Sequence, residues 1–320
     1  MDVDNRQLLD LLAAGPLDGA TLAARLGVAA GVLEPALERL RAAGAVQRAA
    51  GRWQLHGVLD RHDLPALHAA LAPASRRALA ALELAWQVDS TNSELLRRPA
   101  PGHGVHALLA EAQSAGRGRR GRTWASPLSR HLYLSLCWRA EAGLAGLAGL
   151  SVAVGVVVAE VLRGHGLAAG LKWPNDLLLG EAKLAGILVE TAGPAAGPLQ
   201  VVLGIGLNVH GRGWQAEGIG QPWTALDAHL DPVPSRDRLA TDLLDALLPA
   251  LALHRRQGLA AFLPRYAALD LLADRPIWID DGAGRQPAVA LGLAADGGLR
   301  VRDARGERRL HAGMVSVRKQ

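Results

Sequence analysis

The stretch KWPNDLLLGEAKLAGILVE, Lys172 to Glu190, decides how this chain is read. Trp173-Pro174 rules out a helix here, because proline has no N–H to donate and pushes the residue before it away from helical backbone. The apolar runs on either side of Gly180-Glu181 have strand length, and that pair reads as a hairpin tip. Lys183 then falls just inside the returning strand, aimed at one of its faces. Lys172, Asn175, Asp176 and Lys183 are polar groups among residues that read as buried. A charge taken from water without a partner is costly, so such groups need one, from the protein or from a ligand. For Lys183 alone, a lysine snorkelling out of a strand remains the alternative.

Working outward, ELAWQVDS, HGVHALLAEAQ and HLYLSLCWRA are apolar alternating runs that precede a helix candidate, LAGLSVAVGVVVAEVLRGHG. LQVVLGIGLNVHG follows as another strand; Ser235 opens a helix toward Gly258, and LAAFLPRYAALD gives a further one. Strands with helices around them predict an α+β (mixed α/β) domain over residues 85–271. Residues 61–84 read as a helical, Ala/Leu-rich linker punctuated by Pro65 and Pro73. From Arg275 the period is two, in RPIWID, PAVALGLA, GLRVRD, ERRLHAG and MVSVR with DGAGR, DGG and RGE as turns, which predicts a small SH3-like β-barrel over 272–320.

The first sixty residues predict three short helices and a hairpin: Asn5 to Ala14, a second helix capped by Thr21 and ended at Gly27, Gly31 to Ala43, then AVQRAAGRWQLHG. That is the outline of a winged helix-turn-helix, with a small dimerisation or protein-contact module as the alternative. Its third helix carries Glu34 and Glu38 against Arg39 and Arg41, with Pro35 near its start, and the wing has only Arg48 and Arg52. Acidic groups facing phosphates oppose DNA binding.

Within 320 residues, basic side chains are almost all Arg; the lysines are Lys172, Lys183 and Lys319. A net charge of +5 therefore says little beyond a solvated Arg-rich surface. The single cysteine, Cys137, excludes an intrachain disulfide. MDVDNRQLLDLL lacks a basic-then-apolar leader pattern, and Leu144 to Ala159 falls short of the ~20 residues that cross a bilayer, so a soluble cytoplasmic protein without membrane partners is expected.

QSAGRGRRGRTWASP, Gln113 to Pro127, formally contains GxGxxG at Gly116, Gly118 and Gly121. A dinucleotide site needs a helix straight after the last glycine, and Thr123-Trp124-Ala125-Ser126-Pro127 cannot start one cleanly. No GxxxxGK[ST] occurs, which excludes a P-loop. A glycine-flexed loop studded with arginine suits folding over an anion, since guanidinium forks pair bidentately with phosphate or carboxylate; a basic loop touching RNA is the other reading. In GIGLNVH, Gly204 and Gly206 let something approach the strand closely, with Asn208 beside them, while Asp89-Ser90-Thr91-Asn92 on its own reads as a helix cap.

Taken together, DSTN, GRGRRGR, KWPND, KLAGILVE and GxGxN resemble the biotin–protein ligase family, in particular its bacterial bifunctional ligase/repressor (biotin–[acetyl-CoA-carboxylase] ligase) members. The resemblance implies that Ser90, Thr91, Asn92 and Gln113 hold the biotin ureido ring and its surroundings. Arg117, Gly118 and Arg119 would close over biotin and the adenylate phosphate, and Lys183 would contact carboxylate and phosphate. Trp124 would pack on adenine, Asn175, Asp176 and Asn208 would lie in the nucleotide and metal region, and Asp176 would orient the incoming amine. ATP and biotin would be substrates, with Mg²⁺ balancing the pyrophosphate. A biotin carboxyl carrier protein would supply the acceptor lysine, and a homodimer carrying biotinyl-AMP would bind operator DNA. The competing readings are a ligand-responsive regulator with an inactive enzyme-like domain, and a lipoate-type ligase.

Overall fold

The structure, a computed structural model, describes residues 3–57, 59–214, 219–280, 284–311 and 316–319. Helices α1 (Asn5–Ala13), α2 (Gly19–Leu26) and α3 (Ala30–Ala42) lead into strands β1 (Val46–Ala49) and β2 (Arg52–Leu55), which form an antiparallel hairpin. Leu8, Leu9 and Leu12 of α1, Leu22 of α2, and Leu33, Leu37 and Leu40 of α3 share one core with Trp53. The predicted cap shifts by three residues: Asp18, not Thr21, caps α2, accepting from the Thr21 N–H at 2.8 Å. Gly27 ends α2 in the left-handed region at φ +66°, and the chain turns by 110° into α3. Pro35 lies inside α3 on its exposed side, and the helix runs on past it.

Residues 61–84 are helical only to Ala78. After α4 (Leu64–Ala70) and α5 (Pro73–Ala78), strand β3 (Leu79–Val88) begins six residues before the expected Ala85, so residues 79–84 are strand, not linker. Ala and Leu favour helices, but pairing with a neighbour overrides that preference: β3 runs parallel to β4 (Val105–Gln113) along its length. Helix α6 (Thr91–Arg97) lies between them in sequence.

The strands β5 (Leu132–Ala140), β6 (Gly170–Lys172), β7 (Asp176–Leu179), β8 (Ala182–Ala192) and β9 (Leu199–Leu207) complete a seven-stranded sheet in the order β3-β4-β5-β9-β8-β7-β6. The pleat sends alternate residues to opposite faces. On one face Ala107, Leu109, Leu134, Leu136, Leu203 and Ile205 pack under α7 (Leu150–Gly164) and α8 (Arg236–Gln257). On the other, Leu108, Cys137 and Val202 meet Leu95 of α6. Leu144–Gly164 is a 21-residue helical run apolar enough to cross a membrane, longer than the sequence reading allowed. Its α7 part is the core helix of the sheet, with Val152, Val154, Val156, Val157 and Val158 buried there.

Helix α9 (Leu263–Ala267) leads to β10 (Pro276–Asp280), β11 (Arg285–Leu293), β12 (Leu299–Asp303), β13 (Gly306–Leu310) and β14 (Ser316–Lys319), an antiparallel sheet in the order β13-β12-β11-β10-β14. The turn DGAGR and the start of the last predicted strand fall partly outside the described residues. Ile277, Ile279, Ala290 and Val301 join the same core as α7 and α8. Phe262, just before α9, is fully buried in that core. Phe262→Ala is expected to lower unfolding free energy by about 3–5 kcal/mol, read from urea denaturation monitored by circular dichroism.

Candidate functional site

The candidate site is built on the sheet face that α7 and α8 leave uncovered. In β9, residues 201, 203, 205 and 207 go to the core, so Gly204 and Gly206 face the other way. Gly206 pairs directly with Gly186 of β8. The Trp124 indole lies on this floor: a Cβ built on Gly206 would stand 2.4 Å from its ring, and one on Gly186 3.1 Å. A Cβ on Gly204 would stand 2.3 Å from Asn92 Oδ1. These glycines are spacers, and a tryptophan and an asparagine use the space.

Ser90 caps α6, accepting from the Ser93 N–H, as the helix-cap reading expects. Thr91 and Asn92 are buried at its first turn. Gln113 Oε1 accepts from the Thr91 N–H at 2.9 Å and from Thr91 Oγ1 at 3.2 Å, while its Nε2 donates to Ser126 Oγ at 2.8 Å. The fully buried Ser135 hydroxyl lies 2.7 Å from Thr91 Oγ1 and 2.6 Å from Asn92 Oδ1. Asn92 Nδ2 donates to Glu190 Oε2 at 2.8 Å. Ser135, Ser126 and Glu190 were not singled out from sequence; counting by two from Gly186 along β8 would have found Glu190.

Lys183 reaches this face through an irregularity. Leu177 pairs with Ala185, but Leu178 pairs with Lys183, so β8 carries one extra residue. Leu184 and Ala185 are both buried, and Lys183 turns to the glycine floor, its Nζ 5.4 Å from the Trp124 ring centroid. Its partner is Asp176, at 2.7 Å.

The segment GRGRRGR forms a small hairpin, in which the Gly118 N–H donates to the Arg122 carbonyl at 2.6 Å and Arg120 and Gly121 take positive φ. Arg117 pairs with Glu190 at 2.8 Å, and Arg119 Nη1 donates to Asn175 Oδ1 at 2.9 Å. Burial, and then the adjacent Arg120, bring the Arg119 guanidinium below its ordinary range: a cation half withdrawn from water and held by an amide. Asn208 Nδ2 donates to the Thr224 carbonyl at 2.9 Å, and Lys183 is bridged to Trp223 by backbone bonds to Pro222 and Thr224.

The structure therefore gathers Asn92, Gln113, Arg117, Arg119, Trp124, Asn175, Asp176 and Lys183 into one connected set. Among the described residues, no group of three His, Cys, Asp or Glu side chains could hold a metal ion. Sequence reading also missed an aromatic cluster beside Lys183, in which Trp214 and Trp223 lie 5.4 Å apart with His131 5.2 Å from Trp214. No local pattern links those three positions.

His131 is fully buried; its Nδ1 accepts from the Val209 N–H at 3.1 Å, which leaves the proton on Nε2. Burial, with Arg236 and other charges nearby, pushes its pKa from 6.5 to about 3. The ring stays neutral when folded but takes a proton below pH 6.5 when unfolded, so stability falls on acidification. The slope is about 1.4 kcal/mol per pH unit, or about 2 kcal/mol between pH 6.5 and 5. Denaturation curves at pH 7 and 5 are expected to show His131→Asn losing that much less stability than the parent.

Comparison with known proteins gives a consistent result. Residues 85–208 match the Biotin/lipoate A/B protein ligase family. The chain is 37% identical to the bifunctional ligase/repressor BirA of Salmonella typhimurium over 91% of its own length and 90% of that protein's. It is 32% identical to the biotin–[acetyl-CoA-carboxylase] ligase of Paracoccus denitrificans, over 72% of this chain and 97% of that one. The biotin protein ligase from Aquifex aeolicus, solved in complex with biotin and ATP, superposes with a TM-score of 0.63 at 26% identity, covering 76% of this chain and 99% of that one.

Proposed function

The chain belongs to the biotin protein ligases of the Biotin/lipoate A/B family, and we propose that it activates biotin with ATP and passes the biotinyl group to a lysine of a biotin carboxyl carrier protein. The observation that carries this reading is a small-residue floor with Arg119 and Lys183 gathered about Asn175 and Asp176, and with Arg117 beside Asn92 on Glu190, next to Ser90, Thr91 and Gln113. A urea offers two donors and one acceptor, which Asn92, Thr91 and Gln113 match. Biotin's carboxylate then points toward Lys183.

A carboxylate oxygen of biotin attacks the α-phosphorus of ATP and the bond to pyrophosphate breaks, giving biotinyl-AMP. Both reactants are anions, so the reaction needs a fixed cation where they meet. Lys183 and Arg119 supply it, each worth on the order of 3 kcal/mol in the transition state. Mg²⁺ entering with ATP would balance the charge of the pyrophosphate leaving group, with Asn175, Asp176 and Asn208 as the residues of the nucleotide and metal region. The Arg/Gly hairpin, with Arg117, Gly118 and Arg119, covers the mixed anhydride against water. The indole of Trp124, with Asn175 and Asn208 nearby, borders the nucleotide. The acceptor amine then attacks the acyl carbon and AMP leaves. Asp176, tied to Lys183, orients that amine. ATP and the carrier protein are expected in the cytoplasm.

A second role rests on the N-terminal module. The 110° turn between α2 and α3 falls within the range of a helix-turn-helix, and β1–β2 supplies a wing. Relatives such as the Salmonella protein are named ligase/repressor. We read residues 1–60 as a winged helix that takes a homodimer carrying biotinyl-AMP to a two-fold operator, and residues 272–320 as an SH3-like barrel. Of the two acidic groups set against DNA binding, Glu34 and Glu38, the second is paired with Arg41 at 2.7 Å.

The purified protein is expected to biotinylate a carrier domain with ATP and Mg²⁺, and to catalyse ATP–pyrophosphate exchange with biotin; exchange with lipoate alone would overturn the assignment. Lys183→Ala should slow exchange by roughly 100-fold or more, whereas Arg119→Ala should release biotinyl-AMP that labels bystander lysines. In a mobility-shift assay on DNA upstream of biotin-synthesis genes, binding should require biotinyl-AMP and fall steeply with salt, by about 0.9 log units per phosphate contact per tenfold increase. Arg41→Ala should weaken it.

A further inference from the structure

Strand β4 brings Ala107, Leu109 and Glu111 to the face that α7 and α8 cover, so a carboxylate stands where the pleat calls for an apolar group. Glu111 is 1% exposed, and Arg236, at the start of α8, is fully buried 2.6 Å from it. A buried ion pair is poor value for stability alone, because desolvation offsets the attraction and apolar residues of the same volume often do better. This one is fully engaged with backbone from three separate segments. Arg236 Nε donates to the His131 carbonyl at 2.8 Å, Nη1 to the Asp60 carbonyl at 2.6 Å, and Nη2 to the Ala110 carbonyl at 3.3 Å. Glu111 Oε1 accepts from the His62 N–H at 2.8 Å, and Oε2 from the Ser129 hydroxyl at 2.8 Å. Burial alone would raise the Glu111 pKa, but Arg236 and then His62 more than offset it.

Ser129 sits on the return leg of the Arg/Gly loop. Its φ of +53° is in the left-handed region, rare for a residue with a Cβ, and such a conformation persists only when its surroundings over-determine it. Here they do: the Ser129 N–H donates to the Glu111 carbonyl at 2.8 Å, its hydroxyl to the Glu111 carboxylate, and its carbonyl accepts from the Asp60 N–H. One step further along the same two legs, Gln113 joins Ser126, and Gln113 also holds Thr91.

We propose that Glu111 and Arg236 are positioning residues for the ligand loop: the buried pair clamps Ser129 and so sets where Gln113 and the Arg117–Trp124 hairpin stand over the bound adenylate. The proposal rests on the ligase reading for the identity of the ligand. Glu111→Gln and Arg236→Lys keep size or charge but lose the fork-to-carboxylate match. Ser129→Gly keeps the left-handed backbone and loses only the hydroxyl contact, so it is the variant least exposed to misfolding. All three are expected to release pre-formed biotinyl-AMP about tenfold faster and to raise the KM for biotin, with kcat at saturating biotin within about twofold of the parent. Trypsin should also cut the ligand-free variants faster at Arg117, Arg119, Arg120 and Arg122. Unchanged release and unchanged loop cleavage in folded variants would overturn the proposal, as would loss of kcat in proportion to folded fraction. If the parent neither binds nor exchanges biotin, the ligase reading falls, while the trypsin comparison without ligand still decides whether the pair fixes the loop.

Discussion

The pleat of the seven-stranded sheet is the constraint on which the rest depends. Alternate residues must serve two different environments, a helix-covered core and a polar floor, and the strands are written accordingly. In β9 the core residues are Val201, Leu203, Ile205 and Leu207, and the intervening positions include Gly204 and Gly206. A side chain at either glycine would collide with Asn92 or Trp124, so the floor is flat because the site side chains come from elsewhere and need the room. They arrive from α6 and from the loop after β4.

Charge is distributed with the same economy. Arg117 and Lys183 each have a carboxylate, Glu190 and Asp176, whereas Arg119 is held by the Asn175 amide. Each cation is thus fixed in place before any ligand arrives, and a fixed cation needs no reorganisation when negative charge develops beside it. Asn92 and Arg117 share one oxygen of Glu190, which sets Arg117 against the hydroxyl-and-amide end of the floor.

The N-terminal module is not a bead on a string. Its core continues into Ala112 and Leu128 at the base of the Arg/Gly loop. Arg130 donates to the His56 carbonyl beyond the β hairpin and to the Arg212 carbonyl near Trp214. Close-packed interiors have low compressibility and transmit strain. Whatever orders the loop therefore bears on how the first sixty residues are held.

Much of this was legible in the chain itself. Ser235 at the start of α8, the hairpin at Gly180-Glu181, the helix–helix–helix–hairpin of the first sixty residues and the five strands at the end all follow from local rules of capping, turns and periodicity, which need only neighbours in sequence. Lys172, Asn175, Asp176 and Lys183 stood out as polar groups in apolar runs, whereas Ser90, Thr91 and Asn92 read on their own as a helix cap and the arginines as part of a glycine-flexed loop. Tertiary structure decided what periodicity cannot reach. Counting by two from Ala185 and Ile187 would bury Lys183 in the core, and only the extra residue in β8, fixed by its pairing with β7, turns it to the floor. Residues 79–84 became strand because β4 offered a parallel partner, against the helical bias of alanine and leucine. Glu111 and Arg236, Asp176 and Lys183, and His131 with Trp214 and Trp223 are partners because separate elements meet in space. A sequence specifies its local conformations directly, but a buried charge shows its partner only once the sheet that separates the two faces has closed.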